Sequence, residues 1–298
     1  MKNQYVGDIG DYGKYALLKA FSDNGVKLGI NWYLTLDDGK TDGKFTAYLS
    51  DETFCKYQPE VFRVLSEIVG NKRQQKTVQD IEKSSLFSNA LFYSERLDSV
   101  GTASEKEYYR QKWFEKSLKA LSGAELVFLD PDNGLQIYDD PAGQNAEKYV
   151  LPREITAYFE EGFDVVYYCH KGRRTMEEWF DYKSFMCYRL TDALPVVITF
   201  HKGTQRSYVF LLHEKNYTKN KQIIDRFVIR WHPVFNEEYT NIGDVSKVSL
   251  DEPIIIKKTD GTEIVLEKRR DGKLEIRDKS KAESQILDAD TFCRLLHL

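Results

Sequence analysis

The sequence of 298 residues lacks the features that mark several large classes of protein. No apolar run approaches the roughly 20 residues that a helix needs to cross a bilayer. The first eight residues lack the apolar core of a secretion signal. Four cysteines stand far apart without a Cys-x-x-Cys pair, so neither a zinc knuckle nor a disulfide framework is indicated. We therefore expect a globular, cytoplasmic protein with no membrane partner.

The net charge bears on how nucleic acid could bind. A formal net charge of −4 gives no reason to expect nucleic acid to bind over the whole surface. A local basic patch is still compatible with this composition.

What the sequence does contain is a short apolar stretch that ends in a cluster of turn formers. Residues 126–129, Leu-Val-Phe-Leu, are followed at 130–134 by Asp-Pro-Asp-Asn-Gly. A run this short and this sharply bounded is typical of a strand buried on both faces. Ligands of open α/β sheets bind beyond the carboxyl ends of such strands, so Asp130, Asp132 and Asn133 are candidates for chemistry. The alternative is a solvated turn, because these residue types favour turns for conformational reasons alone.

A glycine-containing loop precedes the first predicted helix. Gly7, Asp8 and Gly10 indicate a tight turn, and Asp11 is expected to cap a helix that ends at Gly25. Such a loop suits an anion, yet two aspartates would repel a phosphate, so a hydroxyl, an amine or a metal fits better. A loop with a capping aspartate and no ligand is the alternative.

The first predicted strand, residues 27–36, runs into an acidic loop that contains Asp37 and Gly39. Loops at this position commonly hold the ribose or the phosphates of a nucleotide cofactor, but the chain has no Gly-x-Gly-x-x-Gly motif. Asp37 and Gly39 are therefore candidates for a cofactor site without a specific motif.

Two later strand patterns, at residues 165–169 and 196–200, are each followed by His-Lys-Gly. We expect His170 and Lys171 to converge with the Asp-Pro-Asp-Asn turn on one crevice, because both follow a strand. The imidazole could act as a general base or a metal ligand, and the lysine could hold phosphate. The second triplet also fits the polar tip of a hairpin turn.

Strands that alternate with helices predict a mostly parallel sheet. Helical apolar spacing marks residues 59–69 and 104–121, and the strand at 196–200 returns directly into 208–213, as in a hairpin. The predicted fold for residues 1–235 is therefore an α/β domain with a Rossmann-like, mostly parallel sheet and an antiparallel edge hairpin.

Residues 236–298 are expected to form a separate, smaller appendage. Strand patterns interrupted by Asp-Gly at 260–261 and 271–272 predict a β-meander, with a closing helix at 290–298. Nine basic and six acidic residues lie between 257 and 281. This composition fits a nucleic-acid arm, or a solvated antiparallel face protected against edge pairing.

The motifs resemble those of class I S-adenosylmethionine-dependent methyltransferases that modify adenine N6. Asp-Pro-Asp-Asn stands where those enzymes carry Asp/Asn-Pro-Pro-Tyr/Phe. The opening at residues 7–14 and the strand end at 36–39 are similar to those of the bacterial 23S rRNA adenine-N6 methyltransferase family. The similarity extends over about residues 5–212. The same opening and core also resemble those of an uncharacterised bacterial family.

The resemblance implies S-adenosylmethionine as cofactor, a nucleic acid or nucleotide as substrate, and a cofactor site lined by Asp8, Asp11, Lys14, Asp37 and Gly39. In adenine methyltransferases the aromatic residue of the motif stacks on the flipped base, while the motif's aspartate accepts from its amino group. Here Asn133 replaces the aromatic residue and Asp132 replaces the second proline. The resemblance therefore supports the fold better than the reaction.

Three hypotheses follow. In the first, the protein is a methyltransferase in which Asp130 accepts from the substrate and Asn133 orients it. In the second, Asp130, Asp132 and His170, with Asp8 or Asp11 as a further ligand, hold Mg²⁺ or Mn²⁺ for phosphodiester hydrolysis. Lys171 and Arg173 then lie on the phosphate. In the third, the chain is a non-catalytic module that binds a nucleotide or a partner protein.

Overall fold

The computed structural model describes residues 1–39, 45–71 and 75–238, together with four strands between 254 and 287. The chain divides into two compact units, Met1–Tyr239 and Thr240–Leu298. The expected boundary after residue 235 would cut the strand Phe235–Glu238, which pairs with the large sheet, so the first unit extends a few residues further.

In the first unit, strands and helices follow one another along the chain. Its described strands are β1 (Leu28–Asn31), β2 (Leu91–Tyr93), β3 (Leu126–Leu129), β4 (Gly134–Leu135), β5 (Tyr149–Val150), β6 (Asp164–His170), β7 (Leu194–Phe200), β8 (Arg206–Leu212) and β9 (Phe235–Glu238). Its described helices are α1 (Ile9–Asp23), α2 (Glu52–Cys55), α3 (Pro59–Gly70), α4 (Val78–Glu82), α5 (Ala103–Ala120), α6 (Pro152–Glu160), α7 (Met176–Arg189) and α8 (Glu214–Trp231).

The main sheet has the order β2-β1-β3-β6-β8-β7-β9. Neighbours from β2 to β6 are parallel, whereas β8 is antiparallel to both β6 and β7, and β9 is antiparallel to β7. The predicted Rossmann-like, mostly parallel α/β fold with an antiparallel hairpin is thereby confirmed. The returning strand β8 lies on the inner side of the hairpin, next to β6, and β9 forms the edge.

The central strand β3 is buried along its whole length, as its apolar run predicts. Leu126 and Phe128 belong to one apolar cluster with residues of α1, α3 and α8. Strand β1 has β2 on one side and β3 on the other, so the strand order reverses between β1 and β3. The carboxyl ends at such a reversal are where open α/β sheets bind ligands.

Helix α1 begins one turn earlier than the sequence suggested. The side chain of Asp8, not Asp11, caps it by accepting from the backbone N–H of Gly10 at 2.9 Å. Asp11 lies in the first turn, and its carboxylate instead pairs with Lys14 one turn later, at 2.8 Å. The predicted Asp11 cap is therefore wrong, because Asp8 already occupies the cap position and Asp11 is bound elsewhere.

The second unit contains the strands β10 (Ile254–Lys257), β11 (Glu263–Lys268), β12 (Leu274–Asp278) and β13 (Ser284–Leu287). Consecutive strands pair antiparallel, which confirms the predicted β-meander. The predicted Asp-Gly turns and the closing helix at 290–298 lie outside the described residues. In the described part of the chain, no helix combines the length and apolarity that crossing a membrane requires.

Candidate functional site

A pocket of about 340 Å³ opens at the carboxyl ends of β3 and β6. The N-terminal loop, the start of α1, the turn after β3 and the start of β8 complete its walls. Seven of the ten residues predicted from the sequence line it: Asp8, Asp11, Lys14, Asp130, Asp132, Asn133 and His170. The expected convergence of His170 with the Asp-Pro-Asp-Asn turn on one crevice is therefore present in the structure, whereas Lys171 lies outside this crevice.

Lys14 connects the start of α1 to the turn after β3. Its ammonium lies 2.8 Å from Asp11 Oδ1 and 2.7 Å from Asp130 Oδ2, and all three side chains are buried. Burial lowers the pKa of Lys14, but Asp11 and Asp130 outweigh it and raise that pKa above its ordinary value. Burial raises the pKa of Asp130, and Lys14 opposes this shift. The Oδ1 of Asp130 has no hydrogen-bond partner among the described residues, so it can accept from a ligand.

The amino group of Met1 fixes the turn after β3. It lies 2.7 Å from Asp132 Oδ1 and donates to the backbone carbonyls of Tyr33 and Asp130, at 3.0 and 2.9 Å. Burial raises the pKa of Asp132, but the Met1 ammonium reverses this and holds that pKa below its ordinary value. Thr35 donates its hydroxyl to the other oxygen of Asp132 at 3.0 Å. Asp132 therefore holds the turn in place and is engaged on both oxygens.

Arg206, at the start of β8, contacts the beginning of α1. Its Nη2 donates to Asp8 Oδ1 at 3.1 Å. The guanidinium lies directly over Gly10, where an added Cβ would stand 2.3 Å from the Arg206 Cζ. A side chain at residue 10 would therefore displace the arginine, which explains why glycine stands in this turn. Burial raises the pKa of Asp8, and its hydrogen bond from Gly10 and the charge of Arg206 oppose that shift.

His170 ends β6 and presents a neutral imidazole to the pocket. Burial, followed by the charges of Arg174 and Arg206, lowers its pKa to about 4. Neither ring nitrogen is hydrogen-bonded to a residue in the described ranges. His170 can therefore accept a hydrogen bond or a proton at neutral pH.

Three predicted site residues do not line the pocket. Lys171 donates its ammonium to the carbonyl of Arg174 at 2.6 Å, within the loop between β6 and α7. Asp37 accepts from the backbone N–H of Gln4 at 3.1 Å, and Gly39 is exposed with a φ of +69°. The acidic loop after β1 therefore binds the N-terminal segment of the chain instead of facing the pocket.

The sequence did not indicate several other residues of the pocket, among them Tyr5, Phe45, Tyr168, Arg206 and Tyr208. Arg206 and Tyr208 belong to β8, the return strand of the hairpin. They are two residues apart, so their side chains lie on the same face of the strand. Nothing local to residues 206–208 predicts that this face meets α1, because Asp8 and Arg206 are 198 positions apart.

The predicted metal ligands do not form a metal centre. Asp130 and Asp132 are paired with ammonium groups. Over residues 1–39, 45–71, 75–238 and the four C-terminal strands, no three or more His, Cys, Asp or Glu side chains are grouped so that they could hold a metal ion. Mg²⁺ and Mn²⁺ need several free oxygen ligands, so this donor set does not fit them.

Comparisons with known proteins add one finding. No family model matches the chain, and no curated protein matches it. A crystal structure of protein LPL1258 from Legionella pneumophila, described as family DUF519, is similar at a TM-score of 0.43 and 11% identity, over 78% of this chain and 96% of that one. A TM-score this low supports no inference about fold or function.

Proposed function

We propose that this protein is an S-adenosylmethionine-dependent methyltransferase that acts on a nucleic acid or a nucleotide. The observation that carries the proposal is the 2.7 Å contact between Lys14 Nζ and Asp130 Oδ2. It joins, across 116 positions of the chain, the two motifs that resemble those of adenine-N6 methyltransferases. The contact lies at the carboxyl end of a central strand, where sheets of this type bind their ligands.

The charge of the pocket suits a cationic cofactor. Four carboxylates line it, from Asp8, Asp11, Asp130 and Asp132, against the ammonium of Lys14, the guanidinium of Arg206 and the amino group of Met1. His170 is neutral, so the walls carry one more negative than positive charge. S-adenosylmethionine carries a sulfonium cation, which a negative site favours. A volume of about 340 Å³ lies within the usual range of small-molecule sites, about 300–1,000 Å³.

In this proposal Asp130 is the hydrogen-bond acceptor for the substrate, Lys14 positions Asp130, and His170 accepts a proton. Asp130 Oδ1 accepts a hydrogen bond from the amino or hydroxyl group that is to be methylated. Lys14 keeps Asp130 ionised and holds its other oxygen in place. His170 offers a second, neutral acceptor for the proton that the substrate loses. The cofactor, when bound, supplies the methyl group.

An aromatic side chain is still available for stacking although Asn133 replaces the usual one. Phe45 lies at the pocket, and the residue is 66% exposed. Its backbone is held by two hydrogen bonds, from its N–H to Asp8 Oδ2 at 3.2 Å and from Ile9 N–H to its carbonyl at 3.1 Å. An exposed ring on a fixed backbone is suited to stack on a nucleobase.

Basic loops beside the pocket favour a phosphate-bearing substrate. Gly172 and Thr204, one from each His-Lys-Gly loop, line the pocket, and a backbone hydrogen bond joins the two loops. The loops also expose Arg173 and Lys202, and neither forms an ion pair with a residue in the described part of the chain. Exposed cations of this kind contact the phosphates of nucleic acids.

The test combines cofactor binding with methyl transfer. S-adenosylmethionine at millimolar concentration should raise the melting temperature, because a ligand that binds the folded state stabilises it. Transfer of radiolabelled methyl groups to unmethylated RNA or denatured DNA should fall by about 10²–10⁴-fold in Asp130→Asn, the usual loss when a proton acceptor is removed. The control is Asp98→Asn, the same change at an exposed carboxylate on the surface.

Two results would contradict the proposal. One is the absence of any melting shift with millimolar S-adenosylmethionine. The other is a shift with Mn²⁺ that Asp130→Asn removes, which would favour metal-dependent hydrolysis instead.

A further inference from the structure

Tyr208 has a hydroxyl group that no described residue uses. The side chain is fully buried and lines the pocket, and its hydroxyl has no hydrogen-bond partner in the described part of the chain. A buried hydroxyl without a partner is unfavourable, so buried tyrosines normally have one. The position calls for an explanation that the packing alone does not supply.

Other buried tyrosines of this protein follow the usual rule. Each of four donates its hydroxyl to, or shares it with, a neighbouring group: Tyr12 with the Phe54 carbonyl, Tyr33 with Glu154, Tyr158 with Ser117, and Tyr167 with the Lys183 carbonyl. Tyr208 differs from them in lining the pocket.

The ring of Tyr208 has apolar neighbours, and its hydroxyl has polar ones. Ring centroids of Phe128 and Phe235 lie 6.3 and 6.0 Å away. The charges that act on the hydroxyl are those of Arg206, Asp130 and Asp11, which all line the pocket. A phenylalanine would keep the ring contacts, so the hydroxyl must serve something that enters the pocket.

We propose that Tyr208 is a substrate-binding residue whose hydroxyl donates a hydrogen bond to an acceptor atom of the substrate. This inference rests on the proposed function. The pocket then offers an acceptor, Asp130 Oδ1, and a donor, the Tyr208 hydroxyl, to the same molecule. A ring that carries an amino group close to a ring nitrogen presents the complementary donor and acceptor.

The substrate, not the cofactor, is assigned to Tyr208 because of the side of the pocket on which it lies. Tyr208 is on β8, opposite Tyr168 of β6 in the register. His170 ends β6 on this side, and the adjoining loops carry the exposed cations on which the substrate phosphates are expected to lie. Of the residues attributed to the cofactor by resemblance, the three that line the pocket, Asp8, Asp11 and Lys14, belong to the N-terminal loop and α1.

Tyr208→Phe tests the inference, with Tyr167→Phe as a matched control. Both remove one buried hydroxyl, but that of Tyr167 donates to the Lys183 carbonyl at 3.3 Å and Tyr167 does not line the pocket. Without ligand, Tyr208→Phe should unfold at the same or a higher urea concentration than the wild type, because it loses no hydrogen bond. Tyr167→Phe should unfold at a lower concentration.

The functional readout separates substrate from cofactor. With the nucleic acid that the wild type methylates, Tyr208→Phe should raise KM about tenfold, the equivalent of about 1.4 kcal/mol, with an unchanged Kd for S-adenosylmethionine by calorimetry. Tyr167→Phe should leave both values unchanged when measured on folded protein.

Each other outcome has a definite meaning. A lower unfolding midpoint with unchanged KM would make the Tyr208 hydroxyl structural and overturn the inference. A tenfold weaker Kd for S-adenosylmethionine with unchanged KM would make it a cofactor contact, which also overturns the inference. Failure of the wild type itself to bind the cofactor or to transfer methyl groups would overturn the proposed function, and this inference with it.

Discussion

Two buried ion pairs of this protein look alike but differ in what they leave unbound. Lys14 and Asp130 meet at 2.7 Å in the pocket, and Arg110 and Glu154 meet at 2.7 Å on α5 and α6. None of the four side chains is more than 5% exposed. By burial and by charge alone the two pairs could not be told apart.

The Arg110 pair is saturated with protein partners. Arg110 also donates to the carbonyls of Ala146 and Tyr149, each at 2.7 Å. Glu154 also accepts from the Tyr33 hydroxyl and from the Leu151 N–H, each at 3.0 Å. The pair thus ties α5, the segment 146–149 and the start of α6 together, and each guanidinium nitrogen and each carboxylate oxygen has a protein partner.

The pocket pair is not saturated. Asp130 Oδ1, the His170 ring nitrogens and the Tyr208 hydroxyl have no hydrogen-bond partner among the described residues. Buried polar groups in proteins are otherwise almost always bonded. Between these two pairs, unused hydrogen-bonding capacity beside a pocket, more than buried charge, separates the candidate ligand site from the structural pair. The pocket is part of the criterion, because Trp179 Nε1 and Asn220 Oδ1 are also buried without a partner in the described ranges but do not line it.

The largest effect on stability is expected from Arg110→Met. It leaves Glu154 charged and buried without its partner, which should lower the free energy of unfolding by about 3–5 kcal/mol. Urea denaturation measures this. Lys112→Met, an exposed position on the same helix, is the control and should change stability by no more than about 0.5 kcal/mol. Equal stabilities of the two variants would show that the Arg110 pair is not structural.

A smaller loss of stability and a larger loss of function are expected from Lys14→Met. The carboxylates of Asp11 and Asp130 then face a pocket that water can enter, so the free energy of unfolding should fall by only about 1–3 kcal/mol. Lys14 holds Asp11 and Asp130 in place and is among the residues that the resemblance assigns to the cofactor. The melting shift with S-adenosylmethionine should therefore disappear although the pocket becomes more negative, whereas folded Arg110→Met should keep it. If Lys14→Met were as unstable as Arg110→Met and still bound the cofactor, the Lys14–Asp130 pair would be structural like the Arg110–Glu154 pair.

The fold was predictable where local patterns determine it. The apolar runs of β3 and β6 end in turn formers, and both are strands of the parallel sheet. Helix α8 was not predicted, although its apolar residues Ile223, Ile224, Phe227 and Trp231 recur at helical spacing between charged residues, which is the pattern of an amphipathic helix.

The site was predictable as a place but not in its contacts. The turn after β3 and the end of β6 follow from the rule that ligands bind at strand carboxyl ends. Asp37 was misplaced because its partner Gln4 lies 33 positions away, and the cap at Asp8 depends on where α1 starts. Asp8 and Arg206 are 198 positions apart and meet only when α1 packs beside β8, so no local sequence pattern predicts their contact.

The smallest effect is a pH dependence that only the pocket should show. Burial lowers the pKa of His170 to about 4 in the folded protein, against about 6.5 in the unfolded chain. Between these values the unfolded chain binds more protons, so stability falls as the pH falls from about 6.5 towards 4. From pH 7.5 to 5.5 the loss due to His170 should be about 1 kcal/mol.

His170→Gln should therefore lose less stability than the wild type over that interval, as followed by urea midpoints at each pH. Lys112→Met, at an exposed position without an imidazole, should keep the wild-type slope. An unchanged slope in His170→Gln would mean that the imidazole is hydrated in the free protein, and the pocket would then lose one of the unbound groups that set it apart from the saturated pair.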